Sequence, residues 1–160
     1  MPIFNQVQSE FPDLEYAAQA IFALGSIAEM HNDFAGAIVY YEQIEKEYPY
    51  SNVIVASLVR NANDKLLLRN PQSALLYIQK AESTQRRVLN RFSVEDGELP
   101  AAKPYQKQDF NDHFDENILY LKGEALNQVE RYDAAITNFQ ELINTFPKTE
   151  LLDFANMGLG

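Results

Sequence analysis

The sequence predicts an all-α protein folded as an α-solenoid of stacked antiparallel helix hairpins. Three observations predict this fold. Small, aromatic and proline residues recur at an interval of 37 positions, apolar residues between them follow helical spacing, and helix-breaking residues separate the helical stretches at corresponding places. A hairpin of this kind covers its apolar face only against its neighbours, so we expect the repeats to stack.

Three segments end alike, with two aromatic residues, an aliphatic residue between them and a proline directly after the second aromatic residue. They are Phe4 to Pro12, Tyr41 to Pro49, and Phe139 to Pro147. Proline lacks a backbone N–H and restricts the residue before it. We therefore expect each proline to end the second helix of a hairpin and to turn the chain into the next pair.

Very small residues form two further columns, one in each helix of the hairpin. Members of the first column stand thirteen positions after a proline or twelve positions before an alanine of the second column. The two columns consist of Gly25, Ala62, Gly123 and Gly160, and of Ala37, Ala74 and Ala135. We expect the two helices of a hairpin to touch at these residues, because a larger side chain would push their axes apart.

Turn signals lie between the two helices of each hairpin. In the first full repeat they are the polar run from His31 to Asp33, where Asn32 or Asp33 can cap the second helix. In the next repeat Asn70 precedes Pro71, and proline suits the first turn of a helix because its missing N–H has no partner there.

These boundaries predict one array over residues 1–160, cut at both ends. Its predicted parts are a half repeat 1–14, a repeat 15–51, a repeat 52–92, an insertion 93–114, a repeat 115–149 and a half repeat 150–160. Because the outer segments match only half a hairpin, we expect an interior piece of a longer protein. The alternative is a short array that covers its exposed ends by forming a homo-oligomer. The insertion is either a tolerated surface loop or part of a functional surface.

These columns resemble the tetratricopeptide repeat. The matching residues of the first full unit are Leu24, Gly25, Ala37, Tyr41 and Pro49, and those of the third are Gly123, Ala135, Phe139 and Pro147. The second unit is weaker, since it keeps Ala62 and Ala74 but has no closing proline. The 37-residue step and the aromatic-proline ending look like bacterial cell-envelope members of the family. That resemblance implies the periplasm or cell envelope, although the segment itself contains no signal peptide.

The resemblance also implies a partner-binding groove lined by the first helix of each hairpin. Its positions fall here on Gln19, Phe22, Ser26, Glu29, Val59, Asn63, Tyr120, Glu124 and Asn127. No Lys or Arg stands at these positions, which excludes the carboxylate clamp of co-chaperone members. An aromatic and amide surface with two acids suits a mixed apolar and polar, basic segment. The alternative is that Phe22, Val59 and Tyr120 only pack between neighbouring helices.

Composition excludes several other partners and cofactors. Twenty-three acidic residues against 13 basic ones give a net charge of −10, which would repel a nucleic-acid backbone. No apolar run is long enough to span a membrane, and the absence of cysteine excludes disulfides and thiolate metal sites. We expect no cofactor.

Chemistry-bearing residues do not form a catalytic pattern. The acidic run from Asp109 to Glu116 lacks the glycine and spacing of a calcium loop, and its acids suit the start of a helix, with Asp112 or Asp115 as cap. No serine is paired with a base and no glycine-rich phosphate loop occurs. The sequence therefore predicts a non-catalytic scaffold or adaptor that binds a peptide or partner helix. The alternative is a regulatory or substrate-holding region of a larger enzyme.

Overall fold

The computed structural model describes residues 15–94 and 113–147 of the 160-residue chain. In that part the chain forms helices only, as the repeat pattern predicts, and contains no strand. The six helices are α1 (Glu15–Met30), α2 (Phe34–Glu47), α3 (Ile54–Leu67), α4 (Pro71–Val94), α5 (His113–Gln128) and α6 (Tyr132–Thr145). None of these helices combines the length and apolar content that crossing a membrane requires.

The helices pack as three successive hairpins. Each first helix contacts its own second helix, in the pairs α1–α2, α3–α4 and α5–α6. The hairpins are joined by the contacts α2–α3 and α4–α5, and α3 also packs directly on α5. This order of contacts is that of an α-solenoid, so the predicted fold class is confirmed.

The turns within the three hairpins have the same backbone geometry. Asn32, Arg69 and Glu130 each adopt a left-handed conformation, with φ of 59°, 60° and 63°. The residue after each donates its N–H to a carbonyl five positions earlier, as Asp33 does to Ala28 at 2.8 Å. These bonds satisfy the last carbonyls of each first helix. The repeat is therefore preserved in the backbone at a position where the three side chains differ.

The side-chain cap of α2 comes from Asp33, which decides between the two candidates of the sequence. Its carboxylate accepts the N–H of Gly36 at 2.9 Å, while Asn32 supplies the left-handed turn before it. Pro71 is the first residue of α4, and the Asn70 side chain accepts the N–H of Ser73 at 3.4 Å. Both cap positions follow the usual preference for Asp and Asn at helix starts.

The small residues of the first helices face aromatic rings. A Cβ atom built on Gly25 would lie 2.5 Å from the Tyr41 ring, and one on Gly123 would lie 2.5 Å from the Phe139 ring. Both rings are almost fully buried. The sequence pattern places Gly25 and Ala37 at the contact between the two helices. Tyr41, whose ring needs the space at Gly25, lies one turn beyond Ala37 on α2.

The ends of the predicted insertion are helical. Helix α4 continues through Val94 and α5 begins at His113, so two residues at each end of 93–114 belong to helices. Helix α5 thus starts before Asp115, which lies in its first turn and is not its cap. Residues 95–112, the half repeat 1–14 and residues 148–160 lie outside the described part of the chain, as do Asp109, Asp112 and Gly160.

Candidate partner-binding face

The first helices of the three hairpins are neighbours and form one continuous side of the array, here called the first-helix face. Helix α3 is its centre: Arg60 of α3 reaches the side chains of α1, and α3 packs on α5. All nine groove positions implied by the sequence lie on these three helices.

An arginine of α3 organises the α1 side of this face. The Arg60 Nη1 donates to a Glu29 carboxylate oxygen at 2.6 Å and to the Ser26 hydroxyl at 3.1 Å. Its guanidinium carbon lies 5.2 Å from the centroid of the Phe22 ring, a cation–π contact. Three of the predicted groove residues are therefore already bound within the chain, and a partner would meet Arg60 at this point.

The other oxygen of Glu29 is also bound. The Tyr41 hydroxyl donates to it at 2.8 Å. Burial, and then the bond to the Glu29 carboxylate, raises the pKa of Tyr41 to about 12, so the hydroxyl keeps its proton and remains a donor. The Glu29 carboxylate thus joins the first hairpin to α3 and offers little to a partner.

A second carboxyl group lies buried beside Glu29. Asp64 of α3 has no exposed surface, and neither of its oxygens has a hydrogen-bond donor. Burial and the Glu29 charge raise the pKa of Asp64 to about 8, although Arg60 acts in the opposite direction. Two neighbouring carboxyl groups can form a hydrogen bond only when one of them is protonated. One proton on the pair also removes a buried negative charge, so the pair is most stable with a single proton bound.

Asp64 continues a buried polar stripe along α3. Ser57, Asn61 and Asp64 are each fully buried and are spaced so that they share one side of the helix. The Ser57 hydroxyl donates to the Val53 carbonyl at 2.6 Å, whereas neither amide atom of Asn61 has a partner. The sequence pattern does not reveal this stripe, because polar residues on a helix are usually exposed.

A recess lies between α3 and α5 on the same face. It has a volume of about 270 Å³ and brings together three predicted groove residues. Its lining residues are Asn63, Leu66, Leu67, Arg69, Tyr120, Leu121, Glu124 and Gln128. Leu66 and Leu121 are buried while Leu67 is 53% exposed, so the recess has an apolar floor that continues to the surface.

Glu124 is the acidic group of this recess. It is partly buried, and burial raises its pKa above the ordinary value. Within residues 15–94 and 113–147 its carboxylate takes part in no ion pair or hydrogen bond, although Arg69 lines the same recess. A partly desolvated carboxylate among leucines and amides is suited to binding a donor group.

The remaining three predicted groove residues do not line the recess between α3 and α5. Val59 is only 8% exposed and belongs to the core, which favours the packing interpretation for this residue. Gln19 is exposed and donates its amide to Glu15 at 3.3 Å. Asn127 is exposed on α5 and does not line the recess.

Two cationic residues of this face, Arg60 and Arg69, are missing from the predicted set. The sequence signal that indicates Arg60 is its position three residues, about one helical turn, before the predicted groove residue Asn63. Arg69 lies in the turn after α3, where helical spacing no longer predicts direction. With these two arginines, the first-helix face is less acidic than the nine predicted groove positions alone indicate.

A second cavity, of about 380 Å³, lies between α2, α3 and α4. Beside it, Lys65 and Lys80 lie 4.8 Å and 4.4 Å from the centroid of the Tyr77 ring and pair with Glu42 and Glu45. Burial and these two carboxylates raise the pKa of Tyr77. Each of the two lysines forms an ion pair with a glutamate of α2, so this cluster joins α2 to α3 and α4. Its charged groups are already paired within the chain and offer little to a partner.

The part of the chain that the structure describes contains no set of three His, Cys, Asp or Glu side chains arranged to hold a metal ion. Of the acidic run at the start of α5, Asp115 accepts a hydrogen bond from the Gln85 amide on α4. This bond ties the third hairpin to the second.

Comparison with known families supports the repeat interpretation. Residues 19–51 and 118–149, which lie in the first and third hairpins, each match the tetratricopeptide repeat family model. No curated protein and no solved structure matches the chain. Each matched segment contains the glycine, alanine and aromatic residue of the repeat pattern, and the glycine and the aromatic residue form the helix contact described above. The first and third hairpins are therefore tetratricopeptide repeats.

Proposed function

We propose that this chain is a non-catalytic scaffold segment that binds a peptide or helix of another protein on its first-helix face. Tetratricopeptide repeats generally mediate protein–protein interaction and are typically non-catalytic. The observation that carries the proposal is the recess between α3 and α5, where Asn63, Tyr120 and Glu124 meet around an apolar floor.

The chemistry of the recess resembles the centre of a protein interface. Leu66, Leu67 and Leu121 supply apolar surface, while amide and charged groups surround it. Protein interfaces combine an apolar core with a polar rim in this way, and aromatic residues are enriched in them. Its volume of about 270 Å³ is below the roughly 300–1,000 Å³ usual for small-molecule pockets, so it suits a single side chain of a partner.

The strongly perturbed acid of the chain does not favour catalysis. Asp64, whose pKa is raised to about 8, is fully buried and out of reach of a substrate. Perturbed acids at enzyme sites lie in clefts where they meet the reacting group. We therefore assign Asp64 to the packing of α3 against α1.

Two leucines of similar exposure allow a controlled test. Leu67 lines the recess and is 53% exposed, whereas Leu76 lies on α4 away from it and is 50% exposed. A photo-crosslinking amino acid would be placed at either position in cells that express the protein, and crosslinked proteins would be identified. The affinity of each purified protein would then be measured for the parent, for Leu67→Glu and for Leu76→Glu.

We expect the protein that crosslinks at position 67 to lose at least tenfold in affinity with Leu67→Glu and to keep its affinity with Leu76→Glu. Equal affinity for both variants, each with the parent's helix content, would contradict the proposed site. Because both side chains are exposed, we expect neither substitution to unfold the protein.

A further inference from the structure

The chain contains its own example of an arginine seated between two first helices. Arg60 of α3 lies over Phe22 and binds Ser26, the residue one turn beyond Phe22 on α1. Its guanidinium also binds Glu29, one turn further. The space between adjacent first helices thus accommodates a guanidinium when an acid and an aromatic residue are near.

The third hairpin repeats the aromatic part of this arrangement. Tyr120 and Phe139 stand 98 positions after Phe22 and Tyr41. The Tyr120–Phe139 ring centroids are 6.2 Å apart at 53°, against 5.6 Å and 47° for Phe22–Tyr41. Because the two pairs have nearly the same geometry, positions along α5 correspond to positions along α1, although Ser26 meets the following first helix and Glu124 lines a recess against the preceding one.

The comparison places an acid where α1 has a hydroxyl. Glu124 stands 98 positions after Ser26, the residue that binds Arg60 in the first hairpin. In the described part of the chain no Lys or Arg lies within ion-pair distance of Glu124. The third hairpin therefore has a stronger acceptor for a guanidinium than the first, without an internal cation bound to it.

We propose that the recess between α3 and α5 receives an arginine side chain of the partner polypeptide, whose guanidinium binds the Glu124 carboxylate. The inference rests on the proposed function, since it specifies the partner of the same face. The aliphatic part of the arginine lies against Leu66 and Leu67, as long basic side chains do when their charged end is bound.

Arginine fits the donor and acceptor pattern better than lysine. A guanidinium carries five N–H donors in a fixed plane, whereas an ammonium is a compact, strongly hydrated charge. The carboxylate of Glu124 can accept two of these donors, and Asn63 and Gln128, whose side-chain amides each include an acceptor oxygen, line the same recess. A site with three acceptor groups therefore selects the planar, many-donor cation.

Charge distribution supports this occupant. The chain carries a net charge of −10, which favours the approach of a basic segment. Arg69 also lines the recess, and its positive charge opposes the binding of a second cation there. We expect the partner segment to present one arginine at this point, with no further basic residue directed toward Arg69.

The test is a selection of binding peptides from a random phage-displayed library against the parent chain. We expect arginine to be enriched in the selected peptides. For a synthetic selected peptide, replacing the arginine with citrulline, which has the same shape without the charge, is expected to weaken binding at least tenfold. Glu124→Gln should weaken the arginine peptide equally and leave the citrulline peptide unaffected.

The matched control is Glu141→Gln, which removes the same charge from an exposed position on α6 and should change affinity less than twofold. Peptides without arginine that lose binding with Leu67→Glu, or arginine peptides unaffected by Glu124→Gln, would overturn the inference and leave the proposed function standing. Failure to select any peptide sensitive to Leu67→Glu would overturn both. If Glu124→Gln fails to fold, the citrulline comparison on the parent chain decides.

Discussion

The ring of Tyr41 fills the space that a side chain at position 25 would occupy. A Cβ atom on Gly25 would lie 2.5 Å from the nearest ring carbon, well inside van der Waals contact. Phe139 has the same relationship to Gly123 in the third hairpin. Glycine is therefore required here by helix–ring contact and not by backbone conformation, since both residues lie within regular helices.

We expect Gly123→Ala to lower the free energy of unfolding by about 1–2 kcal/mol. Overpacking of a close contact costs roughly 1–3 kcal/mol, and the higher helix propensity of alanine returns up to about 1 kcal/mol. Urea unfolding followed by circular dichroism would measure the change. Gly123→Ala combined with Phe139→Leu, which removes the ring atoms in contact, should cost less than the sum of the two single changes. Full additivity would contradict the contact.

Glu130→Gly should stabilise the protein by about 0.5–1 kcal/mol. Glu130 adopts φ of 63° at the end of α5, a conformation that glycine adopts without the steric cost of a Cβ atom. Thermal unfolding monitored by calorimetry would show the gain as a higher midpoint. Asn32→Gly is the matched comparison and should gain less, because asparagine tolerates this conformation. A loss of stability with Glu130→Gly would refute the assigned turn.

The stability of the parent should fall as pH rises from about 5 to 8 relative to that of Asp64→Asn. The folded pKa of Asp64, about 8, lies above its ordinary value of 3.8, so the folded state keeps a proton that the unfolded state releases. Its contribution is complete below pH 4 and is lost as pH approaches 8. The difference can reach about 1.4 kcal/mol per pH unit.

The groups that face Asp64 are Glu29 from α1 and Arg60 from its own helix, with Tyr41 of α2 bound to Glu29. Urea unfolding at several pH values would follow the difference between variant and parent. Asp33→Asn makes the same chemical change at the exposed cap of α2 and is the control for the loss of one carboxylate. A profile for Asp64→Asn parallel to that of the parent would show that Asp64 does not hold the proton.

Asn61→Leu should stabilise the protein by about 1 kcal/mol. The Asn61 side chain is fully buried and neither of its polar atoms has a hydrogen-bond partner, so it carries a desolvation cost that leucine of similar volume avoids. Chemical unfolding would measure the gain. Ser57→Ala is the contrasting change, since that hydroxyl is bonded to the Val53 carbonyl and its removal should not stabilise. Destabilisation by Asn61→Leu would mean that the amide is needed.

The sequence was sufficient for the fold because each helix contact is repeated. The 37-residue interval identifies Gly25, Tyr41 and Pro49 as repeat positions, and the helical spacing of the apolar residues between them identifies the helices. What it could not show is the partner of each small residue. Gly25 stands twelve positions before Ala37, but the direction of side chains on α2 places the Tyr41 ring against it.

The site was harder to predict than the fold. The groove positions place Asn63, Tyr120 and Glu124 around one recess, yet they include Glu29, which Arg60 and Tyr41 already bind. These bonds join three different helices, and no pattern within one helix reveals them. The buried Asp64 was missed for the same reason, because burial of an acid depends on its neighbours in space.

Hydrogen–deuterium exchange of the chain, with and without the protein captured at position 67, tests directly whether the partner binds at the recess. We expect slower exchange on binding in α3 and α5, which form the recess, and little change in α2 and α6. Protection confined to the second helices α2, α4 and α6, with α3 and α5 unchanged, would contradict binding at the recess.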